Sequence, residues 1–460
     1  MKSQSPMEPA ERKMFYKELF SLAIPIGLQN LLVALIGASD ALMLGRLTQD
    51  SVSAVSLANQ IAFIMSLFSG AVIGGGGALM AQYWGKGDRT MVKNLLCMLM
   101  KWALGISCVF FALAMFAPEF LMRLYTPEAA LIEIGASYLR AVSVSYLFTG
   151  VTQCYYLVMK LEGKASKSVM ISVVTLVADV TIDYFLIYGK AGAPKLGANG
   201  SAYSTVAVEL IALLWCAAES RRGESIRPDG QGLRWFSAAV TRDLFKIALP
   251  MMGSALAWGV GFSLHSLIMG HLGSDATAAA SITSVAQELI TCVCKGISAG
   301  AGIMVGKLLG QSLFGKAKEY GRRFCRISFW VGGAHMLLLA LLGPIVAEYF
   351  VLTDAAKQYL IAMLIFSAFY VFAYSINTII VCGVFPAGGD ARYDAVSVFF
   401  ASWCFALPLA LLGTFVFHWP VMVVYVLMCA DEIVKLPWVY PRYRKFLWLQ
   451  NLTRAEAAAA

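Results

Sequence analysis

An all-α membrane protein of twelve transmembrane helices, in two pseudo-symmetric six-helix lobes related as parallel repeats, is predicted by three observations. The chain is too apolar for water. Its apolar runs come in lengths that cross a bilayer. Its second half repeats the first.

The 460 residues are 59% hydrophobic and only 14% charged, with a mean hydropathy of +0.71. A soluble domain carries about a quarter charged residues, so this much apolar surface needs lipid. The net charge of +9 does not indicate a nucleic-acid partner, because the basic residues form no stripe with interleaved aromatics. They sit in short loops between apolar runs, as orientation signals do. The ten cysteines form no CxxC pair, and most lie singly in apolar runs, where a thiol acts as a small hydrophobe. Neither a disulfide framework nor a zinc site is expected. Residues 1–14 are polar and lead directly into the first apolar run, so no cleaved leader is expected.

A bilayer core needs about 20 apolar residues per helix. Twelve such runs occur, at 17–44, 52–80, 95–116, 134–160, 168–188, 197–218, 244–269, 277–305, 324–343, 358–384, 394–413 and 421–437. Each must be helical, since lipid leaves exposed backbone groups unsatisfied. Of the 36 Lys and Arg, only Arg46, Arg123, Lys190, Lys195 and Lys357 fall in loops on the side opposite the termini. That bias places both termini in the cytoplasm.

The repeat is the strongest organising signal. Pro25 matches Pro250, and Asp40–Ser56 aligns without a gap to His265–Ser281, pairing Gly45 with Gly270 and Asp50 with Asp275. Gly75–Gly77 faces Gly300–Gly302, and Gly85 faces Gly310. Six spans per repeat make both halves enter from the same side, as parallel repeats. The expected organisation is a cytoplasmic segment 1–14, an N-lobe 15–218, a cytoplasmic linker 219–241, a C-lobe 242–437 and a cytoplasmic tail 438–460. Two matched lobes around a central cavity suit alternating access by rocking.

Particular residues resemble a family. Pro25 in the opening helix, Asp40…Gly45, Gly77…Gly85, the helix-five run Asp179…Asp183…Ile187…Gly189 and the helix-six opening Gly200…Thr205 are similar to motifs of multidrug and toxic compound extrusion (MATE) transporters. Asp431-Glu432…Lys435 and the stretch Trp448–Thr453 resemble one bacterial branch. The resemblance covers about residues 15–453. It implies a secondary active multidrug exporter of the bacterial inner membrane, coupled to protons or sodium and exchanging them for amphipathic, often cationic, compounds. It also implies that Asp40, Asp179 and Asp183 meet in the outer half of the N-lobe, with Thr205 near and Gln153 within reach. Where the family usually has asparagine in helix five, this chain has Asp179, which adds an ionisable group.

Chemistry is expected at buried charge, because an ionisable group inside a span costs several kcal/mol and so faces protein or water. Asp179 and Asp183 are four apart and share a helix face. Clustered carboxylates in a dry pocket cannot all stay ionised, so they take up a proton or, through the same oxygens and Thr205, a sodium ion. The plainer readings are a helix cap or an Arg46 pair for Asp40, and a hydrogen bond to Tyr184 or a loop amide for Asp183. In the C-lobe, His265 stands where the N-lobe has Asp40. Gln287 and Glu288 lie mid-span, with Lys295 two turns on. Glu288 either attracts a cationic substrate or is neutralised by Lys295. Trp258, Phe262, Tyr370, Tyr374, Met251 and Met252 either line a cavity for apolar cations or pack helices. Asp431 and Lys435, four apart, are expected to pair. The glycine runs are expected to bring helices close.

No HExxH, GxSxG or nucleotide-binding pattern is present, so neither an enzyme nor an ATP-driven pump is expected, and no cofactor beyond the coupling ion. Expected partners are small molecules and the bilayer, and the expected state is a monomer. The alternatives are a lipid-linked precursor flippase of the same superfamily, which usually adds two spans and a basic cavity, and an exporter of one specific metabolite.

Overall fold

Backbone groups in lipid must be satisfied within each segment, and the chain meets that demand with helices throughout its apolar runs. In a computed structural model, residues 9–190, 192–222, 225–349 and 352–454 are described. The sequence readings for residues 1–8 and the terminal alanines lie outside them. The N-lobe comprises α1 (Pro9–Gly45), α2 (Gln49–Lys86), α3 (Arg89–Phe116), α4 (Ala129–Leu161), α5 (Ala165–Tyr188) and α6 (Ala198–Ser220). The C-lobe comprises α7 (Ala238–His271), α8 (Ser274–Gly310), α9 (Phe314–Tyr349), α10 (Asp354–Ala387), α11 (Ala391–Phe415) and α12 (Val421–Arg444). Eleven of these are long and apolar enough to span a membrane. The exception, α12, carries Asp431, Glu432 and Lys435 in its middle, and all three are buried in protein.

The helices outrun the hydrophobic windows because their ends are capped beyond the apolar core. Thr48 accepts from the Ser51 amide at the start of α2, and Gly87, with φ +88°, closes its end. Likewise α12 continues seven residues past the apolar run, to Arg444. Both α1 and α7 run unbroken past Pro25 and Pro250.

Packing carries the repeat into three dimensions. Within the N-lobe α1 packs on α5, α3 on α4, and α4 on both α2 and α6; within the C-lobe α7 packs on α11, α9 on α10, and α10 on both α8 and α12. The lobes meet by the exchange that a two-fold axis demands, α1 against α8 and α7 against α2. The symmetry breaks in α10 and α11, where Thr378–Val384 and Phe399–Ala406 are π-helical. Such bulges leave backbone carbonyls unpaired within the turn and gather at functional sites.

The termini side is sealed. Here α2 crosses α8 so closely that a Cβ on Gly85 would overlap the Lys307 carbonyl, and one on Gly310 would overlap the Gln82 carbonyl. The linker is partly structured on this side: a short helix Gly230–Arg234 docks on α3 through the Lys93–Asp229 ion pair of 2.7 Å, and Lys101 donates to the Trp235 carbonyl. The tail after α12 straps both lobes. Gln82 donates to the Ala387 and Gln450 carbonyls at 2.6 and 3.1 Å and accepts from the Leu452 amide. Arg454 pairs with Asp243 of α7 at 2.5 Å, while Lys86 of α2 donates to its carbonyl. Trp448 is fully buried against Gly321.

Truncating a fully buried tryptophan costs about 3–5 kcal/mol. Trp448→Ala should therefore lower the thermal midpoint of the purified protein by several degrees, whereas Arg123→Ala on the opposite face should not. An unchanged midpoint for Trp448→Ala would mean that the tail adds nothing to stability.

Candidate functional site

The N-lobe site begins with helix ends. α1 delivers Asp40 five residues before its end, α5 delivers Asp179 and Asp183 from one face, and Gly200 lets α6 approach the Leu186–Ile187 backbone of α5. As a result one carboxyl oxygen each from Asp40, Asp179 and Asp183 lies within 4.8 Å of the others. Asp179 and Asp183 are 1% and 0% exposed. Neither Asp183 oxygen has a hydrogen-bond donor, nor does Oδ1 of Asp40, and no basic side chain pairs with any of the three among the described residues. Asp40 therefore turns to the other acids rather than to Arg46. Tyr184 is half exposed, and neither Asp183 oxygen has it as a hydrogen-bond partner. Carboxylates this close repel unless a proton or a cation lies between them.

Two expected members are elsewhere. Ser204, not Thr205, reaches the cluster: its Oγ donates to Asp179 Oδ1 at 2.8 Å, while Thr205 Oγ1 turns back to the Ser201 carbonyl at 3.0 Å. One residue on a helix is a rotation of about 100°, and Ser204 lies one turn from Gly200 on the face that touches α5. Gln153 is exposed and stands four turns along α4 from Tyr138, about 22 Å away at 1.5 Å per residue. Tyr138 is the α4 residue at this level; it is buried and donates to Asn59 Oδ1 at 3.3 Å. Glu209, a fourth acid within the N-lobe spans, lies beside Thr149 farther down α6. Its position inside an apolar run is the sequence signal that marks it.

Ser204 supplies the one side-chain donor to the cluster among the described residues, and a hydrogen bond to a charged group is worth about 1.5–3 kcal/mol. Ser204→Ala should cut transport roughly tenfold, while Thr205→Ala should stay within about twofold of wild type, read as initial efflux rates at equal expression. Equal effects would remove the distinction between the two hydroxyls.

The C-lobe holds a cavity of about 650 Å³ between the outer halves of α7 and α8 and the mid-regions of α10 and α12. Trp258, His265, Gln287, Glu288 and Tyr370 line it, with Phe262 and Tyr374 beside them. Trp258 stacks on Phe262 with ring centres 5.8 Å apart, and Phe63 of the N-lobe lies 6.4 Å from Trp258. Tyr370 stacks on Tyr374 on another wall at 5.9 Å. Gln287 is held by Ser367 at 2.9 Å, which also bonds Tyr425. Glu288 is paired with Lys295 at 2.5 Å, so the neutralised reading holds in this state, though Glu288 remains half exposed. Met251 and Met252 do not line the cavity and pack into the main core instead.

Beneath this cavity lies a polar network that the sequence reading paired wrongly. Lys435 bonds Glu432, three residues back, at 2.6 Å and not Asp431. Glu432 also accepts from Asn377 at 2.8 Å. Asp431 instead accepts from Ser402 at 2.9 Å and faces the cavity. Asn377 and Ser402 border or occupy the π-helical segments, whose altered winding turns them inward. His335 bonds Ser375 at 2.9 Å inside the core.

Comparison with known proteins agrees with this geometry. The MatE family model matches residues 25–185 and 250–412, once in each lobe and beginning each time on the helix proline. The chain is 23% identical to an uncharacterized transporter of Bacillus subtilis, YisQ, over 98% of both chains. It is 25% identical to the multidrug resistance protein PmpM of Pseudomonas aeruginosa, over 85% of this chain and 82% of that one. The solved structure of the Vibrio cholerae MATE transporter VcmN in its bent form superposes with a TM-score of 0.84 at 16% identity, covering 96% of this chain and 98% of that one. With one family match in each six-helix lobe and a cavity bounded by both, the chain belongs to the MATE family of multi-pass membrane transporters of small molecules.

Proposed function

We propose that this transporter is a multidrug exporter that exchanges protons or sodium ions for amphipathic organic cations by alternating access. The observation that carries the reading is the cluster of Asp40, Asp179 and Asp183, three acids within 4.8 Å with no basic partner among the described residues. Such a group must bind positive charge to be stable, and a site that binds and releases an ion can drive a lobe rearrangement. The residues fit either ion: the carboxyl oxygens and Ser204 Oγ are hard ligands for sodium, and two adjoining carboxyls can share a proton.

The state described here is closed on the termini side, so the cavity faces outward in the orientation given by the Lys/Arg bias, with both termini in the cytoplasm of a bacterial inner membrane. Substrate class follows from the walls. Stacked aromatic pairs accept flat rings and cations, and Asp431 supplies negative charge, Glu288 being paired with Lys295. A polyanionic lipid-linked precursor would meet Asp431 with repulsion and would find no cluster of basic residues in the lining, which disfavours the flippase alternative.

Cells expressing the chain and preloaded with a fluorescent organic cation should lose dye faster than cells without it. Collapsing the proton and sodium gradients together should stop the difference. Dye loss unaffected by that collapse would rule out ion exchange as the driving force.

A further inference from the structure

A second pocket, of about 520 Å³, opens between α9 and α12 on the termini side, far from the aromatic cavity. Its charged lining is entirely basic: Arg322 and Arg326, one turn apart on α9, and Arg444 from the last turn of α12. Neighbouring arginines are neutralised, Arg323 by Glu319 at 3.3 Å and Arg442 by Asp390 at 2.9 Å. Arg322, Arg326 and Arg444 have no carboxylate partner among the described residues. Arg444 bonds only the Tyr440 hydroxyl, at 2.8 Å, and lies over that ring. Lys318 adds a further charge at the rim, 4.1 Å from the Phe446 ring.

Three guanidiniums gathered without counter-charge repel one another, and the place is built to take an anion. The pocket wall also holds an unpaired polar group, beside Gly321 and Trp448. Tyr443 lines the pocket and is only 4% exposed, yet its hydroxyl has no hydrogen-bond partner. It is a buried donor without an acceptor, where most such groups are satisfied.

The surroundings identify the anion's carrier. From Arg326 the outer face of α9 continues one turn on to Trp330, 76% exposed, and then to Leu337 and Leu341, 61% and 63% exposed. An anion held at the arginines therefore sits at the head of an apolar stripe of the length an acyl chain covers. We propose that this pocket binds the phosphate of an anionic phospholipid headgroup, with its acyl chains laid along α9 below Phe329 and Trp330. Basic pockets between helices at the cytoplasmic boundary suit such headgroups. Because α9 and the tail-bearing end of α12 form the walls, an occupied site would join two elements that the Trp448 strap also joins.

The test is native mass spectrometry of the full-length protein, delipidated and titrated with phosphatidylglycerol, phosphatidylcholine or inorganic phosphate. Wild type should retain phosphatidylglycerol in preference to phosphatidylcholine, and millimolar phosphate should not displace it. Arg322→Gln/Arg326→Gln should weaken phosphatidylglycerol binding by about 30-fold, the expected loss for two surface-potential contacts, and leave phosphatidylcholine binding unchanged. Arg444→Gln, on the other helix, should act in the same direction, so a folding defect in the double variant would not hide the answer. Equal binding of both lipids, or wild-type phosphatidylglycerol binding by both variants, would overturn the proposal. Full displacement by phosphate would overturn it in favour of a free-anion site.

Discussion

Asp183→Asn should abolish gradient-driven efflux, lowering its rate by at least about 100-fold, about 2.7 kcal/mol at the transition state, while dye binding in the C-lobe cavity stays within about twofold. Asparagine keeps the shape of the side chain but can neither carry a proton nor balance a cation. Both Asp183 oxygens are buried without a donor, so no neighbouring bond holds the charge in place of an ion. Asp40→Asn should behave alike, because Asp40 shares the cluster and its Oδ1 is likewise buried without a hydrogen-bond partner. Asp179→Asn should have a smaller effect, since Ser204 already satisfies one Asp179 oxygen at 2.8 Å. Efflux from cells gives the rate, and fluorescence titration of purified protein gives the binding. Wild-type efflux by the Asp183 variant would remove the N-lobe cluster from the coupling mechanism.

The second large effect is expected at the seam between lobes. Gly310→Ala places a methyl group on the Gln82 carbonyl, and Gly85→Ala places one on the Lys307 carbonyl. Both obstacles are backbone and cannot swing aside. Overpacking of this kind costs about 1–3 kcal/mol, and the cost falls only on the state in which α2 and α8 touch. A state opened on the termini side escapes it, so the ratio of the two states should move about 5–150-fold toward that opening. Spin labels at Ser166 and Gln311, exposed residues on opposite lobes, would report the change as a longer inter-lobe distance. The labels require a background in which the exposed Cys108, Cys382 and Cys404 are replaced. An unchanged distance distribution would show that this crossing does not gate the termini side.

What was legible in the sequence is what depends on composition and period. Apolar run length set the spans, the register of Pro25 with Pro250 set the repeat, and the spacing of Asp179 and Asp183 set their common face. His265, Gln287 and Glu288 stood out for the same reason, as polar groups interrupting apolar runs, whereas the pattern left Trp258 and Tyr370, which line the cavity, and Met251 and Met252, which do not, equally open between cavity and packing. What depends on helix rotation and depth was not legible. Thr205 and Ser204 differ by one residue, and only the contact of Gly200 with α5 decides between them. Gln153 and Tyr138 share α4 but sit at different depths. Lys435 has acids at both three and four residues' distance, and the choice of Glu432 over Asp431 follows from Ser402 occupying Asp431. The π-helical winding that brings Ser402 there has no signature in residue pattern. The tail strap and the arginine pocket arise from segments distant in sequence, which periodicity does not connect.

The most direct measurement is uptake of a fluorescent organic cation by proteoliposomes, with pH and sodium gradients imposed one at a time, for wild type and Asp40→Asn/Asp183→Asn. Wild type should concentrate dye under at least one gradient, and the double variant, still binding dye, should do so under neither. Dye accumulation by the double variant at the wild-type rate, or wild-type uptake indifferent to both gradients, would contradict the assignment of ion coupling to these acids.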